Sequence, residues 1–209
     1  MSRTINSSNV IVYVDGFNLY FGLKSKRWKR FYWLDLERLA QNLLRPGQKL
    51  LAVKYFTARI SSPHSKKSRQ DTYLDALRTR PLISIFEGHY QPKPFECGKC
   101  RTRTDVPIEK MTDVNIACEL LVDAYNERFD TAFLISGDSD LVPPVRHLHT
   151  AFPTKSLVVI FPPNRVSNEL RGIANAAMYL GKGPLKKSQF ADEITRPSGI
   201  PLRRPDYWR

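Results

Sequence analysis

The sequence has few cysteines and no long apolar run. Its 209 residues include three cysteines, Cys97, Cys100 and Cys118, and their uneven placement does not suit a disulfide framework. No apolar stretch approaches the roughly 20 residues that a membrane-spanning helix needs. The first residues, MSRTINSSNV, lack the basic start and apolar core of a secretory signal. We therefore expect reduced thiols, no membrane association and a location in the cytoplasm.

Acidic residues are scarce relative to basic ones. The chain has 33 Lys and Arg against 20 Asp and Glu, which gives a formal net charge of +13. Such an excess predicts a polyanionic partner, with nucleic acid the first candidate. A solvated basic surface without a partner is the alternative interpretation.

One segment mixes basic and aromatic side chains in a way that suits unpaired RNA. Its candidate substrate contacts are Lys26, Arg27, Trp28, Lys29 and Arg30. Basic groups would bind phosphates while aromatic rings stack on bases. For the neighbouring Phe31, Tyr32 and Trp33, and for any single ring here, a position in the hydrophobic core is the competing interpretation.

Predicted strands and helices alternate along most of the chain. Apolar runs predict strands over 10–14, 50–56, 82–86, 131–136 and 157–161. Helical periodicity predicts helices beginning at Asn18 and over 36–44, 65–80, 112–128, 141–148 and 167–180. This alternation predicts an α/β fold, a three-layer α/β/α sandwich with a mainly parallel central sheet. In the helix over 112–128 we expect a buried face formed by Val114, Ala117, Cys118, Leu121 and Tyr125.

Two segments depart from this alternation. Residues 88–108 contain prolines at 92, 94 and 107 and predict an inserted loop or ribbon. After Gly181 the composition turns to Lys, Pro, Ser and Arg, which predicts an extended or partly disordered tail. We therefore expect one domain over 1–180, with the inserted loop, and a basic, Pro-rich C-terminal tail over 181–209.

Cys97 and Cys100 have the spacing of half a structural zinc site. Four ligands are normally needed, and the sequence has no second such pair. His89 or a second subunit, as in a homodimer, could supply the remainder. Two reduced thiols in a loop are the alternative.

Four aspartates are expected to converge at one edge of the predicted sheet. Asp15 follows the first strand, and Asp138 with Asp140 follow the fourth. The helix that begins near Asp113 leads into the fourth strand, so its start lies at the same edge as the strand ends. In parallel α/β sheets, ligands bind at this carboxyl edge.

Crowded carboxylates favour a bound cation. Like charges raise carboxyl pKa values unless a cation offsets them, and Mg²⁺ or Mn²⁺ prefer oxygen ligands. The chemistry that suits such a centre is metal-assisted phosphodiester hydrolysis. Asn18 would hold a substrate phosphate or a water on the cation, and Lys110 would neutralise a phosphate oxygen. The competing interpretation makes each aspartate a helix cap or turn former.

Three segments together resemble the NYN domain family of the PIN-like nuclease superfamily, and within it the bacterial branch often called LabA-like or DUF88. They are VIVYVDGFNLY (10–20), EKMTDVNIACELL (109–121) and FLISGDSDLVPPV (133–145), and the likeness covers roughly residues 9–180. The resemblance implies a PIN-like sandwich and a divalent-metal ribonuclease. Carried over by position, the acids are Asp15, Asp113, Asp138 and Asp140, Asn18 is the family's asparagine, and Ser136 is a small polar residue that borders the pocket.

Three other functions compete with that of a ribonuclease acting on single-stranded RNA. A catalytically silent RNA-binding or scaffold protein would keep the fold and the basic surface, but it would not need the aspartates. A phosphatase of the haloacid dehalogenase type needs a second Asp where this chain has Phe17. A dinucleotide-binding enzyme needs a glycine-rich turn, which DGFNLY does not supply. DNA stays open as a substrate beside RNA.

Overall fold

Seven strands form the main sheet of the computed structural model, which describes residues 8–96 and 98–209. They are β1 (Ser8–Asp15), β2 (Gln48–Ala58), β3 (Ile83–Glu96), β4 (Arg103–Lys110), β5 (Thr131–Ile135), β6 (Ser156–Phe161) and β7 (Ala176–Tyr179). Their order is β4-β3-β2-β1-β5-β6-β7, and neighbouring strands are parallel except for β4, which runs antiparallel to β3. β1 is almost continuously apolar because helices cover both of its faces.

Helices cover both faces of the sheet. They are α1 (Gly16–Ser25), α2 (Leu36–Leu43), α3 (His64–Leu77), α4 (Thr112–Tyr125), α5 (Val142–Ala151), α6 (Asn168–Ile173) and α7 (Lys182–Lys187). The face of β1 that carries Val10, Val12 and Val14 packs against α1, α2, α3 and α7. The opposite face, with Ile11 and Tyr13, packs against α4, α5 and α6. The predicted three-layer sandwich is confirmed, and in the described part of the chain no helix is both long and apolar enough to cross a membrane.

The strand order creates a topological switch point between β1 and β5. From β1 the chain builds outward through β2 and β3, and then returns to add β5 on the other side of β1. Loops that leave the carboxyl ends of two such strands diverge to opposite faces and open a crevice between them. The ends of β1 and β5 therefore form the expected position for a ligand site.

The described residues within 88–108 form a two-stranded ribbon, which is one of the two structures predicted for this segment. β3 continues to Glu96 and pairs with β4 from His89↔Lys110 to Glu96↔Arg103. Seven residue steps separate His89 from Glu96, or about 23 Å at ~3.3 Å per residue. His89 is thus too far from Cys100, beyond the other end, to complete a zinc site with it. Cys97 lies outside the described residues.

The predicted buried face of α4 was wrong by one residue. Its buried apolar side chains are Ile116, Leu120 and Ala124. Val114 is 63% exposed and Tyr125 77% exposed, and Cys118 is exposed rather than in the core. A one-residue shift rotates the buried stripe by about 100°. The buried face also includes an acid, Asp123, and a charged residue among the apolar ones conceals the periodicity of the true stripe.

The segment 167–180, predicted as one helix, contains the short helix α6 followed by the strand β7. Ser167 caps α6 as expected, because its hydroxyl accepts a hydrogen bond from the Leu170 N–H at 3.2 Å. The helix ends at Ile173, and β7 then adds to the sheet beside β6. A short apolar run such as AAMY fits both periods, and the open edge of β6 decides in favour of a strand.

The expected extended or disordered tail is folded. After α7, β8 (Glu193–Thr195) and β9 (Pro201–Arg203) form a small antiparallel hairpin, and a 3-10 turn covers Asp206–Trp208. Widely spaced anchors enter the same core as Trp33, and they are Leu185, Phe190, Leu202 and Trp208. The Trp33 indole N–H donates to the main-chain oxygen of Ala191 at 2.7 Å. Composition concealed this packing because polar residues separate the anchors.

Replacing Phe190 by Ala tests the anchored tail. The Phe190 ring is buried with its centroid 5.4 Å from that of Trp33. Removing a buried aromatic ring from a core lowers the free energy of unfolding by about 3 kcal/mol or more. Urea denaturation of Phe190→Ala should show this loss. Ile200→Ala is the matched control, since Ile200 is 54% exposed and should change stability by less than about 0.5 kcal/mol. Equal unfolding midpoints for the two variants would contradict a tail that belongs to the core.

Candidate metal centre

Three carboxylates from distant parts of the chain meet at the switch point. Asp15 is the last residue of β1, Asp138 lies three residues after β5, and Asp113 is in the first turn of α4. Each offers one oxygen, and these oxygens all lie within 4.8 Å of one another. Asp15 is buried, while Asp113 and Asp138 are half-buried and open to the crevice. We name these three residues the carboxylate cluster.

Asp15 is held by hydrogen bonds to both of its carboxylate oxygens. Oδ1 accepts a hydrogen bond from the Asn18 N–H at 2.9 Å, and this bond caps the N-terminus of α1. Oδ2 accepts a hydrogen bond from the Ser136 hydroxyl at 2.8 Å. Burial raises the pKa of Asp15, and these hydrogen bonds oppose the increase. The next residue must be Gly16, because a Cβ there would lie 2.6 Å from the main-chain oxygen of Phe56. Asp15 is thus both a helix cap and a cluster member, so the two interpretations of this aspartate are compatible.

Ser136 and Asn18 orient the turn that carries Asp138. The buried Ser136 hydroxyl accepts from the Asp138 N–H at 3.1 Å while it donates to Asp15. The Asn18 side-chain oxygen accepts from the Gly137 N–H at 3.2 Å. Gly137 has no room for a side chain, since a Cβ would lie 2.4 Å from the Arg165 main-chain oxygen. Ser136 therefore links Asp15 to the turn of Asp138, and Asn18 supports the same turn.

Asp113 has a carboxyl pKa well above its ordinary value. Burial, followed by the charges of Asp15, Asp138, Glu109 and Asp140, raises its pKa to about 7. It enters the cluster through a tight turn, in which Met111 adopts a left-handed conformation with φ 79°. The Glu109 carboxylate then accepts hydrogen bonds from the N–H and the hydroxyl of Thr112. At neutral pH, Asp113 consequently holds a proton for a large part of the time unless a cation is present.

A buried ion cluster that sequence reasoning missed fixes α4 on the sheet. Lys54 Nζ on β2 lies 2.6 Å from a Glu119 oxygen and 2.5 Å from an Asp123 oxygen. The Tyr13 hydroxyl of β1 donates to Asp123 at 2.6 Å. Lys54 and Asp123 are both buried. A lysine inside the apolar run of β2 was the available signal, and the contact holds the helix that presents Asp113.

Two further predicted site residues, Asp140 and Lys110, lie near the cluster in sequence but do not belong to it. Asp140 is exposed, and its N–H donates to Asp138 Oδ1 at 3.0 Å; it is not part of the carboxylate cluster. Lys110 is exposed at the end of β4, three residues before Asp113. The sequence placed both among the site residues, and their roles in binding stay predictions.

The basic segment lies at the far end of α1 from Asp15. The ten residues of this helix span about 15 Å. The side chains of Lys26, Arg27, Lys29 and Arg30 are exposed, and Trp28 is half-buried beneath Lys182. Phe31, Tyr32 and Trp33 are buried in the core, so they do not form an open stacking surface. The segment presents positive charge about one helix length from the cluster.

The chemistry of the carboxylate cluster fits a divalent cation. Carboxylate oxygens are hard ligands, and a few of them with water and phosphate oxygens make up the usual environment of Mg²⁺ or Mn²⁺. Without a cation, three acids this close repel one another, and this repulsion adds to the effect of burial in raising the pKa of Asp113. A doubly charged ion would offset that repulsion. Asp15, Asp113 and Asp138 are the residues that would hold it.

Known proteins share the fold and part of the sequence of this chain. The crystal structure of a protein of unknown function from Vibrio parahaemolyticus has the same fold, with a TM-score of 0.56 at 15% identity over 91% of this chain and 100% of that one. The chain is 27% identical to 6-hydroxy-3-succinoylpyridine 3-monooxygenase HspA of Pseudomonas putida, over 100% of this chain and 78% of that protein. The LabA-like branch stays a prediction. The family model for the NYN domain matches residues 9–204, which include the whole carboxylate cluster, and this chain therefore belongs to the NYN domain family.

Proposed function

We propose that the protein is a metal-dependent ribonuclease that hydrolyses phosphodiester bonds of single-stranded RNA. Membership of the NYN family implies a PIN-like nuclease. The observation that supports the proposal best is the carboxylate cluster, whose three oxygens lie within 4.8 Å at the switch point of the sheet. A silent RNA-binding protein would gain nothing from this arrangement, because clustered acids repel phosphate.

The chain's own residues would divide the work as follows. Asp15, Asp113 and Asp138 would hold Mg²⁺ or Mn²⁺, and such an ion activates water and stabilises charge on a phosphodiester. Asp140 borders this position and is proposed as a further ligand. Ser136 and Asn18 keep the carboxylates in place through their hydrogen bonds.

Positive charge outside the cluster would bind the substrate backbone. Lys110 lies close to Asp113 in sequence, and the exposed basic side chains of the segment from Lys26 to Arg30 would extend the contact along the strand. The formal charge of +13 suits such a partner. The cytoplasmic location and the homodimer stay predictions.

The name of the relative HspA points to a different reaction class, a monooxygenase acting on a substituted pyridine. Non-haem iron oxygenases commonly use two histidines and one carboxylate as ligands. The cluster of this chain consists of three aspartates. This donor set favours a hard cation and hydrolysis, and we propose hydrolysis for this reason.

Purified protein should degrade single-stranded RNA with Mg²⁺ or Mn²⁺ and stop on addition of EDTA. Asp15→Asn and Asp138→Asn should each lower the rate by more than about 100-fold, since even residues that only support metal ligands contribute 10–100-fold. Asp105→Asn is the matched control, because Asp105 is exposed on the ribbon away from the cluster. Cleavage products are followed on gels, with pooled DNA beside RNA. Equal trace activity in the wild type and both cluster variants would contradict the proposal.

Asp113→Asn should stabilise the cation-free protein at pH 8 but not at pH 4. The folded-state pKa of about 7 lies above the ordinary value of 3.8. The stability that Asp113 contributes is therefore complete below pH 4 and is lost as the pH rises through 7. The amide variant carries no charge and avoids this loss. Thermal unfolding in EDTA across pH 4–8, with Asp105→Asn as control, measures the difference.

Added Mn²⁺ should make the wild type more stable than the Asp113→Asn protein at pH 8. The wild type gains stability because the ion binds the folded cluster, and the Asp113→Asn protein gains less. A difference between the two proteins that does not change with pH would contradict the proposed crowding of charge.

A further inference from the structure

A cavity of about 580 Å³ lies beside the carboxylate cluster. Gly16 and Phe17, which directly follow Asp15, form part of its wall. Tyr55 also lines it and packs so closely on the helix that a Cβ on Gly16 would lie 2.8 Å from the Tyr55 ring. Ligand pockets commonly have volumes of roughly 300–1,000 Å³. The cavity therefore has room for a ligand next to the residues that directly follow Asp15.

Aromatic rings dominate the wall of this cavity. Phe17 contacts Tyr90 of the ribbon edge-to-face, with centroids 6.0 Å apart. Tyr20 and Tyr207 reach the cavity from opposite ends of the chain and are 40% and 55% exposed. Large aromatic side chains left open to water at a concave surface are typical of sites that stack on flat ligands.

The charge of the cavity is positive, in contrast to the adjoining cluster. Its lining includes Lys24, Lys66 and Arg69, and in the described part of the chain it has no Asp or Glu. The Arg69 guanidinium lies 4.7 Å from the Tyr207 ring centroid, and Lys29 Nζ lies 4.2 Å from the same centroid. Rings combined with cations suit a nucleotide, whose base stacks while its phosphates meet positive charge.

Polar side chains deep in the cavity are already bonded to main-chain groups. The Gln70 side-chain nitrogen donates to the Ala58 oxygen at 2.9 Å, and its oxygen accepts from the Ile60 N–H at 2.8 Å. The Tyr73 hydroxyl donates to the Leu34 oxygen at 2.8 Å. These groups are not available to read the hydrogen-bonding edge of a base. Recognition would therefore rest on stacking and would tolerate different bases.

The C-terminal segment completes this wall. Tyr207 belongs to the turn over Asp206–Trp208, and the buried Trp208 fixes that turn on the core through edge-to-face contacts with Tyr32 and Tyr73 at 6.0 and 6.1 Å. The part of the chain expected to be a tail thus supplies a side chain to the cavity.

We infer that this cavity binds one unpaired nucleobase of the substrate strand, stacked against the exposed rings of Tyr20 and Tyr207, while the neighbouring phosphate lies at the carboxylate cluster. The inference rests on the proposed function and adds how the strand is held. It assigns Arg69 and Lys66 to the backbone of that strand. A free heteroaromatic acid is the competing occupant, and the experiment separates the two.

Binding is measured by fluorescence anisotropy with a labelled 12-nucleotide oligouridylate and with an abasic strand of the same length. Two proteins are compared in the presence of EDTA, each comprising the whole chain. One carries Asp138→Asn alone, and the other carries Asp138→Asn together with Tyr207→Ala. The second substitution should weaken binding of the oligouridylate about ten-fold, in line with the loss of one stacked base, and should leave the abasic strand unchanged. Oligoadenylate should show the same loss, because stacking tolerates either base.

Two further variants control for folding and for general surface effects. Tyr207→Phe keeps the ring and should retain the affinity for oligouridylate. Tyr125→Ala removes a ring that is 77% exposed on α4, outside the cavity, and should have no effect. Equal losses for Tyr207→Ala and Tyr125→Ala, or an equal loss on the abasic strand, would overturn the inference. The inference would also be overturned if nicotinate bound the protein only when Tyr207 is present and did not compete with oligouridylate.

The outcome is independent of the nuclease assay. If the wild type does not cleave RNA, the proposed hydrolysis is contradicted, while the difference between the base-bearing and abasic strands still decides the role of the cavity. If cleavage occurs but Tyr207→Ala binds both strands as its parent does, hydrolysis stands and the nucleobase site is refuted.

Discussion

Mutual repulsion of three carboxylates is the constraint on which the centre of this protein depends. Asp15, Asp113 and Asp138 present oxygens within 4.8 Å of one another, and burial together with the neighbouring acids raises the pKa of Asp113 to about 7. The surrounding structure resists this repulsion with rigid supports. Ser136 bonds to two members of the cluster, and a buried lysine, Lys54, fixes the helix that carries the third. An arrangement that costs stability and is so firmly held favours a cation as its partner.

Charge is distributed in two opposing zones around that centre. The chain as a whole is strongly basic, with a formal charge of +13, whereas the crevice at the switch point is acidic. The adjoining cavity is lined by Lys24, Lys66, Arg69 and several aromatic rings. A polyanion would be drawn to the basic surface, and only a cation held by the acids would let its phosphate approach them. The proposed hydrolysis and the inferred base-binding cavity both follow from this juxtaposition.

Sequence patterns predicted the five central parallel strands, but they missed β7 and the buried charged residues. The strand that ends at Asp15 was predictable because a strand covered on both faces must be continuously apolar. The buried face of α4 was not, since Asp123 takes a core position that its ion pairs with Lys54 and Arg128 and a hydrogen bond from Tyr13 make tolerable. The segment after Gly181 was also misjudged, because the isolated anchors Phe190 and Trp208 carry no periodicity. In each case a distant contact outweighed the local pattern.

The sequence by itself determined the alternation of strands and helices, the positive charge and the convergence of Asp15, Asp113 and Asp138, because strand direction brings the carboxyl ends to one edge whatever the side chains do. Only the tertiary structure decided that Asp140 lies outside this cluster and that Tyr207 closes a cavity beside it. Both outcomes depend on the distances between side chains in the folded protein. Contacts between residues nearly two hundred positions apart leave no pattern in a single sequence.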